Sequence, residues 1–124
     1  MAPSAVLERI RKLESQGYID GYEVRLNPRR FNRPLVVFVF VEIRDLACRA
    51  PVGQALSQIP AIQEIHFIAG PDRFLVKLLV ADADELNHLL QEDIGRIDGI
   101  HRTGTHIVLS TIKETANIPI GETT

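Results

Sequence analysis

Two runs, Leu35-Val36-Val37-Phe38-Val39-Phe40-Val41 and Phe74-Leu75-Val76-Lys77-Leu78-Leu79-Val80, decide how this chain folds. β-branched and aromatic residues crowd both, each is of strand length, and neither shows the three-to-four spacing of a helix. Alternate side chains of a strand point to opposite faces, yet residues 35, 37, 39 and 41 are apolar and so are residues 36, 38 and 40. Both faces of the sheet must therefore be covered, with Lys77 as the one interruption in the second run.

Working outward, a first strand spans Leu35 to Arg44, a helix runs from about Ala50 to Gln58, and a second strand covers Ile62 to Ile68. Gly70-Pro71-Asp72 marks a tight turn into the strand Phe74 to Val80. Asp82 with Glu85 three residues on signals a helix start, continued by Leu86, Leu89, Leu90 and Ile94 and stopped by Gly99. A long last strand, His101 to Lys113, precedes an irregular tail. The order βαββαβ predicts an α+β, ferredoxin-like fold: a four-stranded antiparallel sheet with two helices on one face. Two helices cover one face only. An apolar face left open would aggregate, so the second face is expected to meet the same face of a second copy in a homodimer.

Upstream, Val6, Ile10 and Leu13 recur at intervals of four and three and make one narrow stripe on a helix from Ser4 to Gln16. Pro3 suits its first turn and Gly17 its left-handed end. Tyr18 to Leu26 reads as extended, with Asp20-Gly21 as a turn inside it. Asn27-Pro28 closes that segment, and Arg29-Arg30-Phe31-Asn32 reads as a linker. Ser4, Glu8, Arg11, Lys12 and Ser15 lie opposite the stripe, with Arg9 at its flank. That face fits a DNA major groove, but on spacing alone the preferred reading is a plain solvated surface with Glu8 and Lys12 paired four residues apart.

Charge divides the chain in the same place. Residues 1–33 carry seven Lys or Arg against four acids, a net of +3, while the remainder carries seven against twelve, a net of −5. The whole, at −2 with a pI near 6.1, is no protein that coats nucleic acid by bulk electrostatics, but a local basic face is compatible with it. With 124 residues, 45% hydrophobic and 24% charged, the chain is sized and composed for one globular domain with a short appendage. The single Cys48 excludes a disulfide-stapled secreted scaffold and, with no targeting signal or apolar run of spanning length, points to the cytoplasm and to no membrane. His66, His88, His101 and His106 lack metal-ligand spacing, so no metal is expected. No nucleophile–base, phosphate-loop or paired-carboxylate motif appears, so no catalytic residue and no cofactor are assigned; Cys48 reads as inert. An enzyme using an inter-subunit cavity has only fold-level analogy behind it.

The run from Pro3 to Tyr22, PSAVLERIRKLESQGYIDGY, resembles the recognition helix and wing of the Lrp/AsnC feast/famine transcriptional regulators. The rest of the chain to about residue 115, including Gly70 to Val80 and Arg102-Thr103-Gly104-Thr105, is similar to the βαββαβ effector domain of that family. The resemblance implies a partial DNA-binding region over residues 1–33 (recognition helix, wing and linker), an effector-binding and oligomerisation domain over residues 34–115, and a tail over residues 116–124. It implies DNA contacts from Ser4, Arg9, Arg11 and Lys12, a small-molecule effector such as an amino acid bound between dimers, and higher homo-oligomers up to octamers.

Two departures from the family pattern stand out. Members usually begin well upstream, with two helices beneath the recognition helix, whereas Met1 here falls in the turn just before it. The expectation is either a trimmed start or a short form that keeps sensing and assembly; the alternative to a DNA-binding regulator is a stand-alone effector-domain protein. The family often reads Gly-Asp-Tyr-Asp-Tyr at the effector turn; this chain reads Gly70-Pro71-Asp72-Arg73-Phe74. Asp72 and Arg73 suit the ammonium and carboxylate of an amino acid, and they suit equally two solvated charges on a hairpin turn.

Overall fold

The computed structural model describes residues 3–121. In chain order it contains α1 (Pro3–Ser15), β1 (Leu35–Ile43), α2 (Arg49–Leu56), β2 (Ile62–Ile68), β3 (Arg73–Val80), α3 (Ala83–His88) and β4 (Ile100–Ile107). All four strands pair antiparallel in the order β2-β3-β1-β4, so the two most apolar strands lie at the centre and the edges go to strands with more polar residues. This is the expected ferredoxin-like arrangement.

Alternation is strict in the central pair. Val37, Val39, Val41 and Ile43 of β1 and Phe74, Val76, Leu78 and Val80 of β3 face the helices and are buried. Val52 and Leu56 of α2, with Leu86 of α3 and Ile94 beyond it, close the core from above. Each such side chain contributes about 1.5–3 kcal/mol on leaving water.

Several boundaries differ from the sequence expectation, each for a local reason. β4 ends at Ile107 rather than Lys113. Its partner β1 starts at Leu35, so after one more bond, Val108 N–H to the Val36 carbonyl at 2.9 Å, no ladder remains to pair with. α2 is entered through a short 3-10 turn, Leu46–Cys48, and stops at Leu56. Asp82 caps α3 as expected, its carboxylate accepting the Glu85 N–H at 2.8 Å, while Glu85 accepts the Ala81 N–H at 2.9 Å. From Leu89 to Ile94 the helix widens to π geometry. Gly99 turns into β4 at φ +98°, where a Cβ would stand 3.0 Å from both Cys48 and Val52.

The N-terminal helix closes as read: Gly17 adopts φ +79°, its N–H donates to the Glu14 carbonyl, and the Tyr18 N–H donates to the Leu13 carbonyl at 2.8 Å. Residues 18–26, expected to be extended, form no strand, because no strand among the described residues pairs with them. Tyr18, Tyr22, Val24 and Leu26 stand in solvent, Val24 at 85% exposure, while Ile19 is half-buried. The expected linker is one 3-10 turn, Pro28–Phe31, capped by Asn27 and ended by Asn32 at φ +57°.

The second face of the sheet carries more charge than the apolar surface, interrupted by Lys77, expected from β1 and β3 alone. Register places Glu42 beside Arg73 and Arg102, Phe40 beside Leu75 and Gly104, and Phe38 beside Lys77 and His106. On β2, Glu64 and His66 pair with Lys77 and Leu75. The apolar centre of this face is thus ringed by charge.

Candidate functional site

α1 presents the four residues expected at DNA, Ser4, Arg9, Arg11 and Lys12, and all are exposed. The opposite stripe is only partly covered: Ile10 and Leu13 are half-buried, Val6 is 42% exposed, and no residue of α1 is fully buried. Its basic face is therefore open, but no second helix among the described residues frames it. The segment after α1 is tied back by Tyr22, whose hydroxyl donates to Glu14 Oε1 at 2.6 Å; that bond to a carboxylate raises the Tyr22 phenol above its ordinary value.

At the effector turn, Gly70 takes φ +110° in open space, a conformation that L side chains rarely adopt, which is why glycine stands there. From that turn the four residues Gly70, Asp72, Arg73 and Phe74 diverge. Gly70 and Asp72 are exposed at the tip. Arg73 lies on the second face, its guanidinium 4.2 Å from the Phe40 ring centroid and its Nε sealed from water without a hydrogen-bond partner. Phe74 points the opposite way, into the core, 5% exposed with its ring edge-on to Phe67 at 5.0 Å and its Cζ 3.3 Å from the point where a Gly53 Cβ would stand. Strand alternation forces this: adjacent residues cannot share a face. Within one chain the turn therefore offers a ligand Gly70, Asp72 and the flank of Arg73, while Phe74 shapes the turn from beneath.

Sequence reading missed the cluster around Arg73. Phe40 receives Arg73 on its face and His106 at its edge, ring centroids 5.6 Å apart. Beside it Glu42 accepts Arg102 Nε at 2.5 Å, and this bond, with the nearby charges of His101 and Arg73, holds the Glu42 carboxyl below its ordinary range. On β2, Glu64 accepts from His66 at 3.0 Å and faces Lys77 at 3.4 Å, and its carboxyl too is held low. Apart from Glu64 and His66, two apart on one strand, only strand register brings these partners together. Cys48 sits in the 3-10 turn against the core, its Sγ 3.4 Å from Asp45 Oδ1. Among the described residues no three His, Cys, Asp or Glu side chains are placed to share a metal ion, and no helix is long and apolar enough to cross a membrane.

The arrangement of sheet, helices and N-terminal helix has close counterparts among solved structures. A transcriptional regulator from Neisseria meningitidis in complex with L-methionine superposes with a TM-score of 0.87 over 96% of this chain and 78% of that one, at 23% identity. A feast or famine regulatory protein from M. tuberculosis, also complexed with L-methionine, gives 0.79 over 95% and 79% at 30% identity. Residues 36–118 match the family model of the Lrp/AsnC ligand binding domain, and the chain belongs to that family. The leucine-responsive regulatory protein of Escherichia coli K12 is 33% identical over 97% of this chain and 74% of its own length.

Proposed function

We propose that this chain is an effector-responsive transcriptional regulator that senses an amino acid and changes its assembly state in response. The supporting observation is the likeness, at 30% identity, to the M. tuberculosis regulator complexed with L-methionine, combined with an effector-domain match over residues 36–118. Gly70, Asp72 and Arg73 are the contact residues proposed for the ligand, with Phe74 supporting the turn. Asp72 would accept the ammonium and Arg73 would meet the carboxylate.

One chain leaves this turn open, so the ligand is proposed to bind where dimers meet, each dimer formed by two sheets packed through their second faces. A ligand there shifts assembly by the difference in its affinity for the two arrangements and by no more. Ser4, Arg9, Arg11 and Lys12 would then be presented to DNA in several copies. The relatives are regulators rather than enzymes, and no catalytic role is proposed. Thermal shift and light scattering across the proteinogenic amino acids test the reading: at least one raises the melting temperature and changes the scattering mass. No response to any of them refutes it.

A second reading has an observation of its own. Because α1 buries no residue, the recognition helix has no frame within the described residues, which favours an effector-domain protein that acts without touching DNA. Gel shifts at two salt concentrations separate the readings. Sequence-specific retardation with a steep salt dependence, weakened by Arg11→Ala or Lys12→Ala, excludes the second; no retardation excludes the first.

A further inference from the structure

We propose that His106 makes assembly sensitive to pH: two copies hold together through their second faces while its imidazole is neutral, and come apart as the imidazole takes up a proton. The switch rests on the sheet-on-sheet dimer proposed above and names a condition for it. On β4, His106 stands opposite Phe38 of β1, at the border of the apolar centre of that face. The His106 and Phe40 rings meet edge to face, centroids 5.6 Å apart. The imidazole Nε2 stands 4.0 Å from the point where a Gly104 Cβ would be, so the ring lies over bare backbone beside Phe40. A second sheet packed on Phe38 and Phe40 takes His106 out of water with them. A charge buried there is costly unless a counter-ion meets it.

No carboxylate is free to be that counter-ion. Glu42 of β1 is engaged by Arg102 of β4, with His101 nearby, and Glu64 of β2 by Lys77 and His66. Glu114, in the segment after β4, is engaged by Arg25 and Lys77. Two further cations form no salt bridge among the described residues: Arg73 of β3, on the face of the Phe40 ring, and Lys113, which lines a groove with Phe38. On the strands themselves Arg73, Lys77 and Arg102 outnumber Glu42 and Glu64. A two-fold dimer brings the same set again, so the partner has no spare acid to offer. Charging His106 in both copies adds positive charge to a dry face that already has a surplus of it. His66 behaves differently: its Nε2 lies 3.0 Å from Glu64 Oε1, so a proton there gains a counter-ion. A proton that binds separated chains better than the dimer favours separation as pH falls, by the difference between the two affinities.

Native mass spectrometry at one chain concentration shows the dimer, and mixing isotope-labelled with unlabelled chain gives its rate of subunit exchange. Between about pH 7.5 and 5.5 an imidazole changes its charge. Glu42 and Glu64, both held below 4.5, keep theirs over that range. In the parent protein exchange should quicken at least about tenfold across it, the equivalent of one pH unit of differential proton affinity. His106→Gln should stay dimeric and hold the change within about twofold, while His66→Gln and His101→Gln should respond as the parent does. Circular dichroism should report one fold at both ends of the range. An exchange rate that ignores pH, a His106→Gln dimer as responsive as the parent, a response removed by His66→Gln or His101→Gln instead, or a fold lost at the acid end overturns the switch. A chain that is monomeric at the upper pH refutes the sheet-on-sheet dimer itself, so the two fail separately.

Discussion

Replacing Phe74 by alanine tests whether this residue of the effector turn serves the ligand or the core. The ring is 5% exposed, meets Phe67 edge-on at 5.0 Å and bears on α2 at Gly53. Truncation of a buried phenylalanine costs about 3–5 kcal/mol, of which the aromatic pair supplies about 0.5–1.5 kcal/mol. With a urea slope of about 2 kcal/mol per M, the midpoint should fall by about 2 M, measured by circular dichroism at one fixed chain concentration. Phe74→Leu keeps most of the volume and should cost about 1–1.5 kcal/mol with the amino-acid response intact.

Gly53 supplies an internal control. An alanine there gains about 0.5–1 kcal/mol in helix propensity, but its Cβ would stand 3.3 Å from the Phe74 ring, so in the parent protein crowding opposes the gain. In the Phe74→Leu background the full gain should appear, giving a coupling of about 0.5 kcal/mol or more in the double-mutant cycle. Additive effects, or a Phe74→Ala variant that loses ligand response at a cost below about 1 kcal/mol, would refute the placement of Phe74 in the core.

Gly99→Ala forces an L side chain to φ +98° with its Cβ 3.0 Å from Cys48 and Val52; a loss of about 3 kcal/mol is expected in urea unfolding, only partly relieved by Cys48→Ala. Glu42 carries a pH signature. Its folded carboxyl lies below the ordinary 4.5 because Arg102 stabilises the charged form, so its contribution is present above that value and is lost as pH falls through the lower, folded one. Urea midpoints measured from pH 6 down to pH 3 should therefore fall less steeply in Glu42→Gln than in the parent protein, and parallel curves would contradict the pairing.

Much of the fold is legible in local signals. Apolar runs such as Leu35 to Val41 and the Asp82–Glu85 start depend only on neighbours along the chain, and they place every strand and both effector-domain helices in order. Ends that depend on a partner are not legible: β4 stops at Ile107 because β1 has no more backbone to offer, and residues 18–26 stay unpaired because a strand needs a neighbour that the described residues do not supply.

The effector turn divides in the same way. Gly70-Pro71-Asp72 is readable as a turn from residue type, but adjacency in sequence suggested a shared site for Arg73 and Phe74 that strand alternation splits between two faces. Sequence by itself determined the order of elements, the charge division between head and body, and the family. Tertiary structure alone decided which charges meet: Glu42 with Arg102, and Glu114 with Arg25 and Lys77, are brought together across dozens of residues by register and chain path, which no local propensity encodes.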